Sequence, residues 1–244
     1  KEAVAVAVEK CADATKGQTC YICMEGDTKE GLVRGCACRG TAGFAHVSCL
    51  AEQAKILVAE AEENHLGSKA FNSRFQRWHH CNLCEQEYHG AVLCALGWAC
   101  WKTYLGRPET DRFRTSAMRQ LGNGLSDAKH LEDALSVEVA QLAMMQRLGA
   151  SEQNMLVAQN NLAGTYTSLG RLEEALCLRE NVYSGRLKLY GEQHGYTISA
   201  ANNYANILNR LQRLEEAKTL MRRTVPVARR VLGDSHDYTL TMRS

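Results

Sequence analysis

Eight cysteine and histidine residues between positions 20 and 84 constrain this chain more than any other feature of its sequence. In order along the chain, they are Cys20, Cys23, Cys36, Cys38, His46, Cys49, Cys81 and Cys84. Their spacing is C-x2-C, twelve residues, C-x-C, seven residues, H-x2-C, a long insert and a final C-x2-C. Each short pair can bring two ligands to one ion from a tight turn, and eight soft ligands make two tetrahedral sites of the kind that zinc prefers. We therefore predict two Zn²⁺ ions, and we expect Gly35, Gly40 and Gly43 to supply the backbone freedom of the turns.

Disulfides and ordinary buried cysteines are the alternatives to metal. The chain has 11 cysteines, an odd number, and no recognisable secretory signal. Crowded, short-spaced pairs in such a chain are more typical of metal binding than of disulfides. Structural zinc contributes about 10–16 kcal/mol of apparent binding free energy. Removing the metal should therefore unfold this part of the chain and leave the rest largely intact.

Charge and hydropathy argue against two classes of partner. The formal net charge is +2, whereas proteins that bind nucleic acid or anionic membranes usually carry a strong basic excess. The longest apolar run, residues 91–101, has about half of the ~20 residues that a membrane-spanning helix needs. We expect no nucleic-acid or membrane partner, and a location in the cytoplasm, with the nucleus as the alternative.

Composition divides the chain into four segments. Residues 1–19 form a leader, either disordered or helical, and residues 20–90 form the zinc-binding segment. Within it, residues 50–67 have apolar side chains at helical spacing and a stop at Gly67. Residues 91–109 read as a bridging helix that ends near Gly106. Residues 110–244 have a strongly helical composition.

The last segment repeats itself with a period of 42 residues. Gly149, Gly191 and Gly233 are 42 apart, and the run R-L-E-E-A at 171–175 recurs at 213–217. A fixed period of this length is the signature of a helical solenoid, in which neighbouring hairpins share a core. Counting a looser earlier copy, we predict about three repeats, truncated as a fourth begins at residues 238–244.

The stretches NNLAGTYTSLGRLEEALCL and NNYANILNRLQRLEEAKTL resemble the tetratricopeptide repeat in the longer form found in kinesin light chains. The resemblance implies a concave groove that holds a peptide or helix from another protein. It also implies that Asn161 and Asn203 face this groove. The alternative for these two residues is that they cap or tie neighbouring helices.

The stretches CYICMEG, GLVRGCACRGTAGFAHVSCL and CNLCEQEYHG resemble the RING-CH, or RING-variant, zinc finger. The resemblance implies two interleaved sites. One takes Cys20, Cys23, His46 and Cys49, and the other takes Cys36, Cys38, Cys81 and Cys84.

Domains of the RING-CH family typically act as ubiquitin-protein ligases. They bind a ubiquitin-conjugating enzyme that is charged with ubiquitin, and they need no catalytic nucleophile of their own. The resemblance implies that Ile22 and Leu83 contact the conjugating enzyme. The alternative is that both residues only pack within zinc-binding turns.

Three features depart from the family pattern. The insert between Cys49 and Cys81 is long, and the Trp that usually follows the sixth ligand is missing, with Trp78 as the candidate substitute. Glu85 stands where many active RING ligases have a basic residue that contacts ubiquitin. In addition, His79, His80 and His89 flank the last pair of cysteines and are alternative ligands.

These observations predict a mostly α-helical protein, with a small zinc-stabilised RING-variant domain followed by a tetratricopeptide-repeat solenoid. The predicted function is a ubiquitin-protein ligase whose zinc domain recruits the conjugating enzyme and whose repeats bind a protein substrate. The alternative is a non-enzymatic scaffold for protein–protein interaction. A histone-reading zinc finger shares the Cys/His order, but no aromatic cage for a methylated lysine is apparent.

Overall fold

The computed structural model describes residues 1–26, 30–233, 236 and 239, and the described residues divide into two compact units, Lys1–Val137 and Glu138–Ser244. The helices of the first unit are α1 (Glu2–Thr15), α2 (Val47–Glu63), α3 (Ser68–Phe75), α4 (Gly90–Tyr104) and α5 (Arg112–Asp127). Helix α6 (Leu131–Arg147) crosses the boundary between the units. The second unit continues with α7 (Glu152–Ser168), α8 (Leu172–Tyr190), α9 (Gly195–Arg210) and α10 (Leu214–Leu232). The mostly helical fold predicted from the sequence is confirmed.

The leader segment forms helix α1, so of the two alternatives for residues 1–19 the structure has the helix. Helix α1 packs against α4, and Ala7 is completely buried between them and the metal-binding loops. The same apolar cluster includes Leu32, Val33 and Ala45, which come from the loops that carry the ligands. The small metal-binding domain therefore shares its core with two flanking helices.

Helix α2 begins three residues earlier than its apolar spacing predicts and ends at Glu63 rather than near Gly67. Its N-cap is His46, so the H-x2-C pair occupies the cap and the first helical turn. Successive positions of the first turn point in different directions, and residues three apart return to the same face. This is why His46 and Cys49 can approach one ion.

The long insert before Cys81 contains more structure than its sequence pattern revealed. Helix α3 is followed by a 3-10 turn, Gln76–Trp78. Helix α3 and this turn enclose an aromatic cluster together with α2, α4 and α5. In the cluster, the rings of Phe71 and Phe113 meet edge-on with their centroids 4.8 Å apart. The rings of Trp78 and Tyr104 also meet edge-on, with centroids 6.0 Å apart. The insert is thus a folded extension of the zinc domain.

Helices α4 and α5 pack unusually closely because each presents a glycine to the other. A Cβ atom at Gly124 would lie 2.8 Å from the backbone oxygen of Leu93, and one at Gly97 would lie 3.0 Å from that of Gln120. The predicted bridging helix, 91–109, corresponds to α4. Helix α5 belongs to the first unit, so the division between units does not coincide with the boundary expected at residue 110.

Helices α7 to α10 pack in chain order, each against the next, as expected for stacked helical hairpins. The 42-residue period has a backbone basis. Gly191 and Gly233 both end their helices at positive φ, +78° and +89°. The tight turns within the hairpins use a second such pair, Gly170 and Gln212, also 42 residues apart and both at positive φ. The predicted start of a fourth repeat, residues 238–244, lies outside the described residues except for Thr239, which is buried.

Across the described part of the chain, none of the helices combines the length and the apolar character required to cross a membrane.

Candidate metal centres and docking surface

The first metal-binding cluster consists of Cys20, Cys23, His46 and Cys49, whose ligand atoms all lie within 4.8 Å of one another. His46 Nδ1 lies 3.4 Å from Cys23 Sγ and 3.6 Å from Cys49 Sγ. On its other side, His46 Nε2 lies 3.2 Å from the backbone oxygen of Gly26. When Nε2 donates to that oxygen, Nδ1 carries the lone pair that can bind a metal, as is usual for metal-binding histidines.

The second cluster consists of Cys36, Cys38, Cys81 and Cys84, again with all ligand atoms within 4.8 Å of one another. Cys38 Sγ and Cys81 Sγ are 3.8 Å apart, far beyond the ~2.05 Å of a disulfide, and all the cysteines are free thiols. The two clusters take their ligands alternately along the chain. This grouping is the interleaved one that the RING-CH resemblance implies.

The two outer C-x2-C pairs have the same local conformation. The backbone N–H groups of Ile22 and Leu83 each lie 3.4 Å from the sulfur of the first cysteine in their own turn, to which they donate. Two further backbone bonds close each turn, and Met24 and Glu85, which follow the second cysteines, both have positive φ. Cys20 and Cys81 therefore begin two equivalent turns, one at each metal centre.

Gly43 is required by the second centre. It has φ +82°, and a Cβ atom there would lie 2.6 Å from Cys38 Cβ and 2.9 Å from Cys38 Sγ. Gly40 also has positive φ, but a Cβ atom there would meet nothing. The third predicted turn glycine, Gly35, is needed for a different reason, because its Cβ atom would lie 2.6 Å from that of Val92 on α4.

The pKa values of the cluster thiols show that several of them resist ionisation when no cation is bound. Burial, reinforced by neighbouring Cys81, raises the pKa of Cys36 to about 11, and burial with Cys23 and Cys20 nearby raises the pKa of Cys49 to about 12. Burial also opposes ionisation of Cys20, but backbone N–H groups outweigh it and lower the pKa of that thiol to about 7. Crowded thiols of this kind ionise together only with a metal ion, which binds as their protons leave. The two clusters fit two zinc ions in number, type and spacing of ligands.

The two equivalent turns lie side by side. The hydroxyl group of Tyr21 donates a hydrogen bond of 2.8 Å to Oδ1 of Asn82. Tyr21 precedes Ile22 and Asn82 precedes Leu83, so this bond brings the two predicted docking residues onto neighbouring turns. Leu83 is 51% exposed, and Ile22 is half-buried against the core of the zinc domain.

Trp78 is fully buried and meets Tyr104 within the aromatic cluster. Trp78, the candidate substitute for the missing Trp of the family, is therefore a core residue with no surface on which to contact a partner. Glu85 forms an ion pair of 2.8 Å with Arg77, whose guanidinium group also donates to the backbone oxygen of Cys81. Arg77 thus lies beside the position where the family's basic residue would stand.

In the repeats, the asparagines take part in a network that the sequence did not reveal. Oδ1 of Asn160 accepts hydrogen bonds from Arg179 on α8 and, at 3.5 Å, from Asn203 on α9. Burial lowers the pKa of Arg179 to about 10, because a guanidinium group removed from water is less stable in its charged form. Asn203 therefore links α9 to α7, and its place in a peptide groove stays a prediction. Asn161, the other predicted groove residue, is half-buried on α7.

Comparison with known families agrees with both resemblances. The family model of the RING-variant domain matches residues 20–84, and that of the tetratricopeptide repeat matches residues 155–195 and 197–238. These regions are a RING-variant domain and tetratricopeptide repeats. No curated protein matches the chain.

Similar solved structures include the nearly identical TPR-like repeats of a Podosopora anserina kinesin light chain and a point variant of the same protein. For both, the sequence identity is 19%, the TM-score is 0.53, and the similarity covers 81% of this chain and 83% of the other. At this identity, the likeness shows a shared repeat fold only.

Proposed function

We propose that this protein, a RING-variant zinc domain joined to tetratricopeptide repeats, is a ubiquitin-protein ligase. The zinc domain would recruit a ubiquitin-conjugating enzyme charged with ubiquitin, and the repeats would bind the protein to be modified. The observation that carries the proposal is the pair of equivalent C-x2-C turns. They are tied together by Tyr21 and Asn82, and they place Ile22 and Leu83 on adjacent loops.

The proposed docking face consists of Ile22 and Leu83. Bound zinc supplies no reactive group in this account, because its contribution is to hold the two turns in place. Apolar side chains on hydrogen-bonded turns are suited to docking, since little backbone entropy is lost when they are covered. Accelerating transfer from an already activated thioester requires positioning of the reactants rather than a nucleophile of the ligase.

The repeats account for substrate selection. Tetratricopeptide repeats are protein-interaction modules, and a protein held by them stays close to the docked conjugating enzyme. Tethering of this kind raises the effective concentration of the acceptor lysine without any new contact at the reacting atoms. The joining of the two kinds of domain in one chain supports this division of labour.

A non-enzymatic scaffold is the second candidate, and two observations favour it. Glu85 places a carboxylate where many active RING ligases have a cation, and the only tryptophan before the last ligand pair is buried in the aromatic cluster. In a scaffold, the same docking face would bind a partner without promoting transfer.

Self-ubiquitination with a broad panel of conjugating enzymes separates the two functions. The ligase account predicts activity with at least one enzyme, its loss in Ile22→Ala and His46→Ala, and its retention in Ile56→Ala. Ile56 is a matched control because it is a 50% exposed isoleucine on α2, away from the turns. Zinc content measured on each variant shows whether a loss reflects docking or unfolding. Stable binding of conjugating enzymes without transfer would instead support the scaffold.

A further inference from the structure

A third group of metal-binding side chains lies next to the second zinc centre. One ring nitrogen each of His79 and His80 and one carboxylate oxygen of Glu87 lie within 4.8 Å of one another. His80 and Glu87 face each other in an isolated antiparallel bridge, which closes the base of the hairpin that carries Cys81 and Cys84. The three side chains therefore meet where two backbone segments are already held together.

Both imidazoles have an unsatisfied nitrogen. Nδ1 of His79 and Nδ1 of His80 are buried and have no hydrogen-bond partner among the described residues. Buried polar atoms without partners are uncommon in folded proteins because each forfeits its bonds to water. The rings meet at an angle of 70°, with their centroids 4.7 Å apart. In the tautomer that carries its proton on Nε2, each of these Nδ1 atoms has a lone pair with which it can bind a metal ion.

The neighbouring charges allow such a ligand but limit its affinity. The guanidinium groups of Arg77 and Arg119 act on His79, and both repel a cation. Arg77 is neutralised by its ion pair with Glu85, so that carboxylate is occupied, and Glu87 remains as the acidic member of the group. Arg119 donates to Ser116 at 3.4 Å. A cation here would bind more weakly than in the thiolate clusters.

We propose that His79, His80 and Glu87 form a third metal site, for a divalent cation of the zinc class. Two imidazoles and one carboxylate form a ligand set that Zn²⁺ accepts, and three protein ligands leave one position open to water or another ligand. A metal bound here clamps the base of the hairpin that also carries Leu83. The site is separate from the two structural centres because it shares none of their ligands.

The test starts from protein that already holds two zinc ions. Calorimetric titration with Zn²⁺ should reveal one further equivalent with lower affinity. This binding should be lost or weakened at least several-fold in His80→Gln and in Glu87→Gln. It should persist in His89→Gln, which removes an exposed histidine near the same hairpin. Two zinc ions retained by every variant would show that the structural centres remain intact.

Co²⁺ added to the two-zinc protein gives an independent readout. Bound at this site, it should show ligand-field absorption without the charge-transfer bands of cobalt–thiolate bonds. The proposal is overturned if the parent binds no third ion, if both cluster variants bind it as the parent does, or if the added cobalt shows thiolate bands. The measurement involves no ubiquitin transfer, so its outcome is independent of the proposed ligase function.

Discussion

The hydroxyl group of Tyr21 and the side-chain oxygen of Asn82, separated by 61 residues in the chain, are joined by a hydrogen bond of 2.8 Å. Each residue follows the first cysteine of its turn, and the two turns belong to different metal centres. Burial raises the pKa of Tyr21, so its hydroxyl group stays protonated and able to donate. The bond therefore couples the two centres at the point where the proposed docking residues emerge.

Removing this bond should loosen the docking face without emptying the metal centres. Tyr21→Phe should lower the free energy of unfolding by about 1 kcal/mol, the usual net contribution of one hydrogen bond. It should also slow ubiquitin transfer, while zinc content stays at that of the parent. Asn82→Ala should have the same effect, and the double variant should be no worse than either single one. Additive losses would show that the two residues act separately.

If the chain acts as the proposed ligase, Glu85 should hold back transfer, because it places a negative charge where the RING resemblance implies a basic residue that contacts ubiquitin. Glu85→Arg should increase the rate of ubiquitin discharge from the conjugating enzyme several-fold, measured in a single turnover. Gln86→Arg adds a positive charge at the next exposed position and should change the rate little. If both variants behave alike, general charge and not this position sets the rate.

Gly43 gives a test of the second metal centre that has a close control. Gly43→Ala and Gly40→Ala both place an alanine at positive φ, a strain of about 1–3 kcal/mol. Only the first pushes its Cβ atom against Cys38. Gly43→Ala should therefore retain less zinc after competition with a chelator than Gly40→Ala. Since the centres are interleaved, we expect the loss to affect both ions. Equal retention by the two variants would contradict this account of Gly43.

The site was more predictable from the sequence than the helices around it. Ligand spacing identified all eight cluster residues, because short pairs leave few other ways to gather thiols. Helix α3 was missed, since Phe71, Phe75 and Trp78 were not recognised as one apolar face in a segment that is otherwise polar. The predicted start of α2 was three residues too late, because the position of its first turn depends on the metal-binding pair His46 and Cys49 and not on apolar spacing.

Long-range contacts explain the remaining differences. Nothing near Trp78 in the chain shows that Tyr104 packs against it, so its burial could not be read from local pattern. Gly35 was expected to serve a turn, whereas it makes room for Val92 on a distant helix. The repeat period does not reveal the bond between Asn203 and Asn160, because that bond depends on how successive hairpins stack.

Glu138 should make the stability of the repeats depend on pH. Burial raises the pKa of this carboxyl group from 4.5 to about 7, against a smaller opposing effect of a hydrogen bond from Thr165. The folded state therefore holds a proton that the unfolded state has lost, and stability falls as the pH rises through this range. The loss is at most on the order of 3 kcal/mol, at about 1.4 kcal/mol for each pKa unit.

Glu138→Gln keeps the shape of the side chain and removes its titration. Urea unfolding at about pH 5 and about pH 8 should show a smaller decrease in stability for this variant than for the parent. Glu173→Gln is the control, because it changes an exposed glutamate of the same repeats. Its stability should respond to pH as that of the parent does, including any effect of pH on the metal centres. A decrease in Glu138→Gln as large as in Glu173→Gln would contradict the assignment.

Discharge of ubiquitin from a charged conjugating enzyme to free lysine, followed in a single turnover, tests the docking face most directly. The comparison is between the parent, Leu83→Ala and Leu105→Ala, in which the control leucine is 47% exposed, close to the 51% of Leu83. We expect Leu83→Ala to slow discharge about tenfold, as the loss of a docking side chain worth about 1.4 kcal/mol would. Leu105→Ala should match the parent, and both variants should keep two zinc ions. Discharge that is unaffected by Leu83→Ala, or absent from the zinc-loaded parent with every conjugating enzyme tried, would contradict the account.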